Sequence, residues 1–222
     1  MKRFILPIVI LLSGLLFIFV IPKDNEFIRL LFKLIPMVFI LIYAYKRQNT
    51  YYTIAHERLI LAGLFVCMLG DAFIIFSFIF GLVAFLIGHL FYIGAFLKQW
   101  NFSKLRVLSA LPIIAYGTFF GSKIITALSL DGEKALIIPV IMYIIVLSTM
   151  GWAAFMTGNK WAIIGSILFI ASDTILSWDL FVSKLTYSTT LIMSTYYSAQ
   201  FLIANSLIYR EPALYVYQSK PY

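Results

Sequence analysis

Asp71 and Asp173 each stand alone inside a long apolar run, LAGLFVCMLGDAFIIFSFIF and WAIIGSILFIASDTILSW. A carboxyl group at the centre of a membrane helix costs about 2.5–3.5 kcal/mol on insertion scales, so it turns toward a polar cavity or a partner. Two such groups placed alike suit general acid–base chemistry, because a coupled pair in a low-dielectric site can present one acid and one base together. The competing reading is structural: each aspartate staples helices through hydrogen bonds. His89, in GLVAFLIGHLFYIGAF, is a further titratable group in an apolar run and carries the same two readings. Tyr196, Tyr197 and Gln200 lie close together in TYYSAQFLIANSLI, where structural hydrogen bonding is the default.

The elements that position these groups are membrane helices. Of 222 residues, 63% are apolar and 12% are charged, more apolar surface than a soluble domain hides. A helix needs about 17–25 apolar residues to cross the hydrocarbon. Eight segments qualify: 4–22, 28–45, 59–79, 82–98, 106–122, 135–155, 161–179 and 186–208. Short charged connectors join them, except near Phe80 and Gly81, where the third and fourth segments are expected to form a tight hairpin. The basic start followed by an apolar stretch resembles a signal peptide, but no small-x-small cleavage site follows, so it reads as the first span. The expectation is an all-α, polytopic bundle of eight transmembrane helices, one domain over residues 1–222, integral to the membrane.

The net charge of +8 does not point to nucleic acid, because the basic residues are scattered through connectors that suit lipid headgroups. The single cysteine, Cys67, rules out an internal disulfide framework. The two histidines are too few for an all-histidine metal site, and no cofactor is expected. With eight spans, eleven basic residues (Lys2, Arg3, Lys46, Arg47, Arg58, Lys98, Lys104, Arg106, Lys160, Arg210 and Lys220) fall on the side of the termini. Five (Lys23, Arg29, Lys123, Lys134 and Lys184) fall opposite. The positive-inside bias then places both termini in the cytoplasm.

In that topology Asp71 and Asp173 each lie 12 residues into their segments, about 18 Å at helical rise. His89 falls about 10 Å below the outer boundary, and Tyr196 and Tyr197 are at a similar level, so all could share one layer. Helical spacing sets Gly63, Cys67 and Gly70 beside Asp71, and Gly165, Ser166 and Ser177 beside Asp173. Thr189, Met193, Tyr196 and Gln200 form one stripe. The aspartate segments also align with each other four spans apart, a faint echo that would give a 4+4 parallel repeat.

MLGDAF (68–73) and ASDTIL (171–176) are similar to the two signature helices of the YhhN-like lysoplasmalogenase family. GLVAFLIGHLFYIGAF, TYYSAQFLIANSLI and KLIP (33–36) resemble further landmarks in the same order. The resemblance covers the whole eight-span layout. It implies an integral membrane hydrolase that acts on a lysophospholipid, cleaving the vinyl ether of lysoplasmalogens to a fatty aldehyde and a glycerophospho-base. It also implies that Asp71, Asp173 and His89 are the family's catalytic residues. Such hydrolysis begins with proton transfer to an alkenyl carbon and needs a second carboxylate to stabilise the oxocarbenium ion or activate water. His89 would orient a carboxyl group or the water. Tyr196, Tyr197 and Gln200 would contact the glycerol or headgroup, and Lys33 would either snorkel outward or meet the lipid phosphate.

Three other classes remain open at this point. An intramembrane aspartyl protease also uses two embedded aspartates, although Met68 stands where its Gly-x-Gly-Asp motif has the first glycine. A transporter could relay protons or bind a cation with the same carboxyls. A metal hydrolase would use Asp71, His89 and Asp173 as ligands.

Overall fold

The computed structural model describes residues 2–22, 24–48 and 55–207, with side chains from Ile5 onward. The helices are α1 (Lys2–Phe19), α2 (Glu26–Arg47), α3 (Ala55–Phe76), α4 (Phe78–Leu97), α5 (Lys104–Leu108), α6 (Ala110–Leu130), α7 (Ile137–Thr157), α8 (Lys160–Phe181) and α9 (Ser188–Asn205). No strand occurs among the described residues. Six stretches are long and apolar enough to cross a bilayer: α2, α3, α4, α5 with α6, α7 with the turn before it, and α8. They make the chain an integral, multi-pass membrane protein. The apolar part of α1, Ile5–Phe19, is shorter. Large apolar side chains such as Leu11, Phe65, Leu111, Ile145 and Ile164 are exposed on the outer helix faces, a surface that hydrocarbon covers.

Several expected boundaries move. The fifth segment does not stop at 122 but continues to Leu130, so Lys123 sits inside α6 rather than in a connector. Of the basic residues that set the orientation, Lys23, Arg210 and Lys220 lie outside the described residues, as do the side chains of Lys2 and Arg3.

The α3–α4 hairpin reverses at Ser77 (φ −160°, ψ 128°), earlier than the expected turn at Phe80 and Gly81. Gly81 serves the reversal differently: its Cα lies against Ile74, where a Cβ would have no room. The same device recurs down the hairpin. Gly63 lies against the Tyr92 ring, Gly70 against Phe85, and Gly88 against the Cys67 sulfur. The small residues expected beside Asp71 are thus the surface on which α4 packs. Replacing Gly63 by Ala is expected to lower stability by about 1–3 kcal/mol, the usual cost of overpacking. Thermal unfolding in detergent would read this as a lower midpoint; an unchanged midpoint would show that α3 and α4 are not this close.

Around this hairpin, α7 packs on α4, α8 pairs closely with α9, and α9 also meets α1, α2 and α3. One end of the bundle is latched by polar contacts. The Tyr43 hydroxyl donates to Asn205 at 2.7 Å, while Arg47 donates to the Tyr43 oxygen and to the Leu207 carbonyl. The other end, where α2 and α9 begin and α3 and α8 finish, carries the cavity described next.

Candidate functional site

A cavity of about 450 Å³ opens between α1, α2, α3, α4, α8 and α9, and both Asp71 and Asp173 line it. Counted from the near helix ends, Asp71 is five residues before Phe76 and Asp173 eight before Phe181, hence about 8 and 12 Å deep. Lys33 and Tyr196, seven and eight residues into α2 and α9, reach the same level from helices running the opposite way. Phe85, Ile74, Leu176, Ile192 and Met193 supply apolar walls. The size and the few convergent polar groups are those of a small-molecule site.

The two carboxyl groups have different partners. Asp71 is buried, with Lys33 Nζ 3.0 Å from Oδ1 and the Tyr196 hydroxyl donating to Oδ2 at 2.6 Å. Both of its oxygens therefore accept from strong donors, one of them cationic, which suits a carboxylate. Asp173 is half-buried, and among the described residues its one donor is the Tyr143 hydroxyl, at 2.5 Å from Oδ2. Its second oxygen remains available to carry a proton or to receive one.

Lys33 does not snorkel away from the bundle. Its side chain turns inward to Asp71 and is only 16% exposed, because a carboxylate inside hydrocarbon needs a counter-charge more than an ammonium seven residues from a helix start needs water. Tyr197 backs this turn of α2: its hydroxyl donates to the Lys33 carbonyl at 2.9 Å. It does not line the cavity.

The single layer expected from the sequence separates into two. Because the reversal falls at Ser77, Asp71 is six residues before it and His89 twelve after it, about 9 and 18 Å along the axis. His89 therefore sits below the cavity and is not among its lining residues. It is wholly buried, and among the described residues its ring nitrogens have no hydrogen-bond partner. Its ring packs edge-on against Phe169, Tyr143 and Tyr92, and Tyr143 in turn donates to Asp173. Gln200 occupies the same lower level and accepts from the Tyr92 hydroxyl at 2.6 Å. Of the stripe on α9, Thr189, Met193 and Tyr196 face the cavity and Gln200 lies beneath it.

Among the described residues, no group of three His, Cys, Asp or Glu side chains comes together to hold a metal. His89, which the metal reading needs beside both aspartates, lies in the lower layer.

Sequence reasoning overlooked Tyr143, Arg29 and Glu26. Tyr143 carries the one hydroxyl in IIPVIMYIIVL, and the logic applied to the aspartates applied to it as well. Glu26, Arg29 and Lys33 repeat at i, i+3 and i+7, the spacing of one helix face, and all three line the cavity. Tyr143→Phe leaves the aromatic packing and removes the donor on Asp173. A hydrogen bond to a charged group contributes about 1.5–3 kcal/mol, so turnover of a substrate worked on by Asp173 should fall about 10–100-fold with little change in KM. Unchanged kinetics would mean that Asp173 acts without this tyrosine.

Residues 28–207 match the sequence model of the YhhN family. Mouse lysoplasmalogenase TMEM86B is 32% identical over 217 residues, covering 96% of this chain and 89% of the relative. Rat lysoplasmalogenase TMEM86B is 31% identical over 220 residues, 96% of this chain and 87% of the relative. Bovine lysoplasmalogenase TMEM86A is 32% identical over 169 residues, 69% and 67% of the two chains. No solved structure matches the chain.

Proposed function

The chain belongs to the YhhN family, and from that membership we propose that it is a membrane-embedded hydrolase cleaving the vinyl ether of lysoplasmalogens. The observation that carries the chemistry is that Asp71 and Asp173 line one cavity with unequal partners. Asp173, with an oxygen free of donors among the described residues, delivers a proton to the alkenyl carbon remote from oxygen. The adjoining carbon becomes an oxocarbenium ion, which the fixed negative charge of Asp71 stabilises. Water adds to that cation and gives up a proton to the now ionised Asp173. The resulting hemiacetal collapses to a fatty aldehyde, its hydroxyl proton ending on the glycerol oxygen. The net reaction consumes one water and leaves both carboxyl groups as they began.

Lys33 and Tyr196 hold Asp71 as an anion at the reacting atoms, and Tyr143 fixes Asp173. Tyr196 is also positioned to touch the glycerol. Tyr197 and Gln200 support the walls rather than the substrate in this account, and His89 positions Tyr143 through ring contact. No cofactor is required. The alkenyl chain occupies the apolar wall formed by Ile74, Phe85, Leu176 and Met193. We also read α1 and α9 as spans, giving eight, with both termini cytoplasmic by the basic-residue bias. The cavity mouth then lies on the opposite face.

The test is incubation of the purified chain in detergent with a lysoplasmalogen, a transmembrane peptide and no other substrate, following aldehyde and peptide products. Aldehyde release with an intact peptide is the expected result. Peptide cleavage, or flux of a solute into proteoliposomes without any aldehyde, would replace the lipid hydrolase by the protease or the transporter.

A further inference from the structure

Above Asp71 the cavity wall is a charged face of α2. Glu26 is exposed at the mouth, Arg29 is half-buried one turn deeper, and Lys33 is at the floor. Helical rise separates Glu26 from Arg29 by about 4.5 Å and Arg29 from Lys33 by about 6 Å along the axis. Lys33 is committed to Asp71, but neither Glu26 nor Arg29 has an ion pair among the described residues. The Arg29 guanidinium lies over the Phe17 ring, 5.4 Å from its centroid, and Phe17 is itself a wall of the cavity. An arginine steadied on an aromatic face keeps its five donors free for a planar fork to an oxyanion.

Resting on the function proposed above, we infer that Glu26 and Arg29 form a subsite for a zwitterionic phospho-base headgroup. Arg29 takes the phosphate and Glu26 the terminal ammonium. The order fits a lysolipid whose ether linkage is at Asp71 and Asp173. Its glycerol leads toward the mouth, the phosphate comes next, and the amine is outermost. A free phosphate offers Arg29 the same chemistry, but the apolar wall beside the carboxyls favours a phosphate attached to a chain. The bland alternative is that Glu26 merely complements the positive end of α2, where Asn25 already caps the Ile28 N–H. That role predicts a change in stability and none in headgroup choice.

The experiment separates the subsite from the chemistry by using saturated 1-alkyl lysolipids, which bind without being hydrolysed, alongside the alkenyl substrates. Binding of the ethanolamine, phosphate-only and headgroup-free alkyl lipids is measured on the purified full chain, on Arg29→Gln, Arg29→Lys and Glu26→Gln. Arg29→Gln should weaken both phosphate-bearing lipids at least tenfold and leave the headgroup-free lipid unchanged, with Arg29→Lys recovering part of the loss. Glu26→Gln should weaken the ethanolamine lipid about threefold or more, yet tighten the phosphate-only lipid by removing a like charge. Equal effects of either substitution on all three lipids, or no effect on any, overturns the subsite. Inorganic phosphate displacing the lipid at equal concentration overturns it as well. If this binding pattern holds while no alkenyl lipid yields aldehyde, the subsite stands and the proposed reaction falls. If aldehyde forms but the pattern is absent, the reverse is true.

Discussion

Replacing Asp173 by Asn is expected to lower aldehyde release from a lysoplasmalogen by about 10²–10⁴-fold, the usual contribution of a positioned general acid. Asparagine keeps an oxygen to accept from the Tyr143 hydroxyl, which meets Asp173 at 2.5 Å, so the bundle should unfold at nearly the same temperature. Asp71→Asn is expected to lose a comparable factor for a different reason. It removes the charge that stabilises the cation and leaves the Lys33 ammonium, 3.0 Å away, without its counter-ion. Its unfolding midpoint should therefore fall as well. The pair of measurements separates catalysis from stapling. If both aspartates only hold helices together, the two variants lose stability and keep their turnover per folded molecule. Substantial turnover in either one refutes the acid–base pair.

The second large effect belongs to Lys33. In Lys33→Met the buried Asp71 keeps, among the described residues, the Tyr196 donor alone, and breaking a buried pair by removing one partner costs about 3–5 kcal/mol. Activity should fall with stability, because Asp71 then takes up a proton or recruits water and no longer offers a fixed charge. The double variant Lys33→Met/Asp71→Leu removes both charges and is expected to regain most of the lost stability while remaining inactive. Thermal unfolding and aldehyde release measured on the same preparations read the two effects apart. A single variant as stable as the parent would show that Lys33 faces headgroups or water instead of Asp71.

What the sequence made legible follows from how strongly the membrane constrains each residue. A lone carboxyl group in an apolar run has few places to go, and Asp71 and Asp173 were recognisable for that reason. Six of the segments were legible as membrane-crossing helices because hydrocarbon thickness fixes their length. The turn after the third helix was less so. Phe80–Gly81 carries the familiar small residue, whereas the backbone reverses at Ser77 and uses Gly81 for close approach to Ile74. Those few residues decide the depth of everything on α4. They place His89 beneath the cavity, a displacement that apolar composition alone does not encode.

Lys33 illustrates a second limit. Its position near a helix start suggested water or headgroups, and only the tertiary arrangement brings Asp71 within reach. Tyr143 was hidden because tyrosine is common in apolar helices and its role depends on which carboxyl group lies opposite. Glu26 and Arg29 sit where connector charges are expected, so their face became meaningful only once α2 was seen to wall the cavity.

The claim on which the mechanism depends is that the ether linkage of the lipid meets both carboxyl groups in one cavity. A lysolipid carrying a diazirine at the first chain carbon, photolysed on the purified chain and mapped by peptide mass spectrometry, tests it most directly. Label is expected on α3 and α8 near Asp71 and Asp173, lost when unlabelled lysoplasmalogen competes. Competed label confined to helices that do not border the cavity, such as α6, would contradict it.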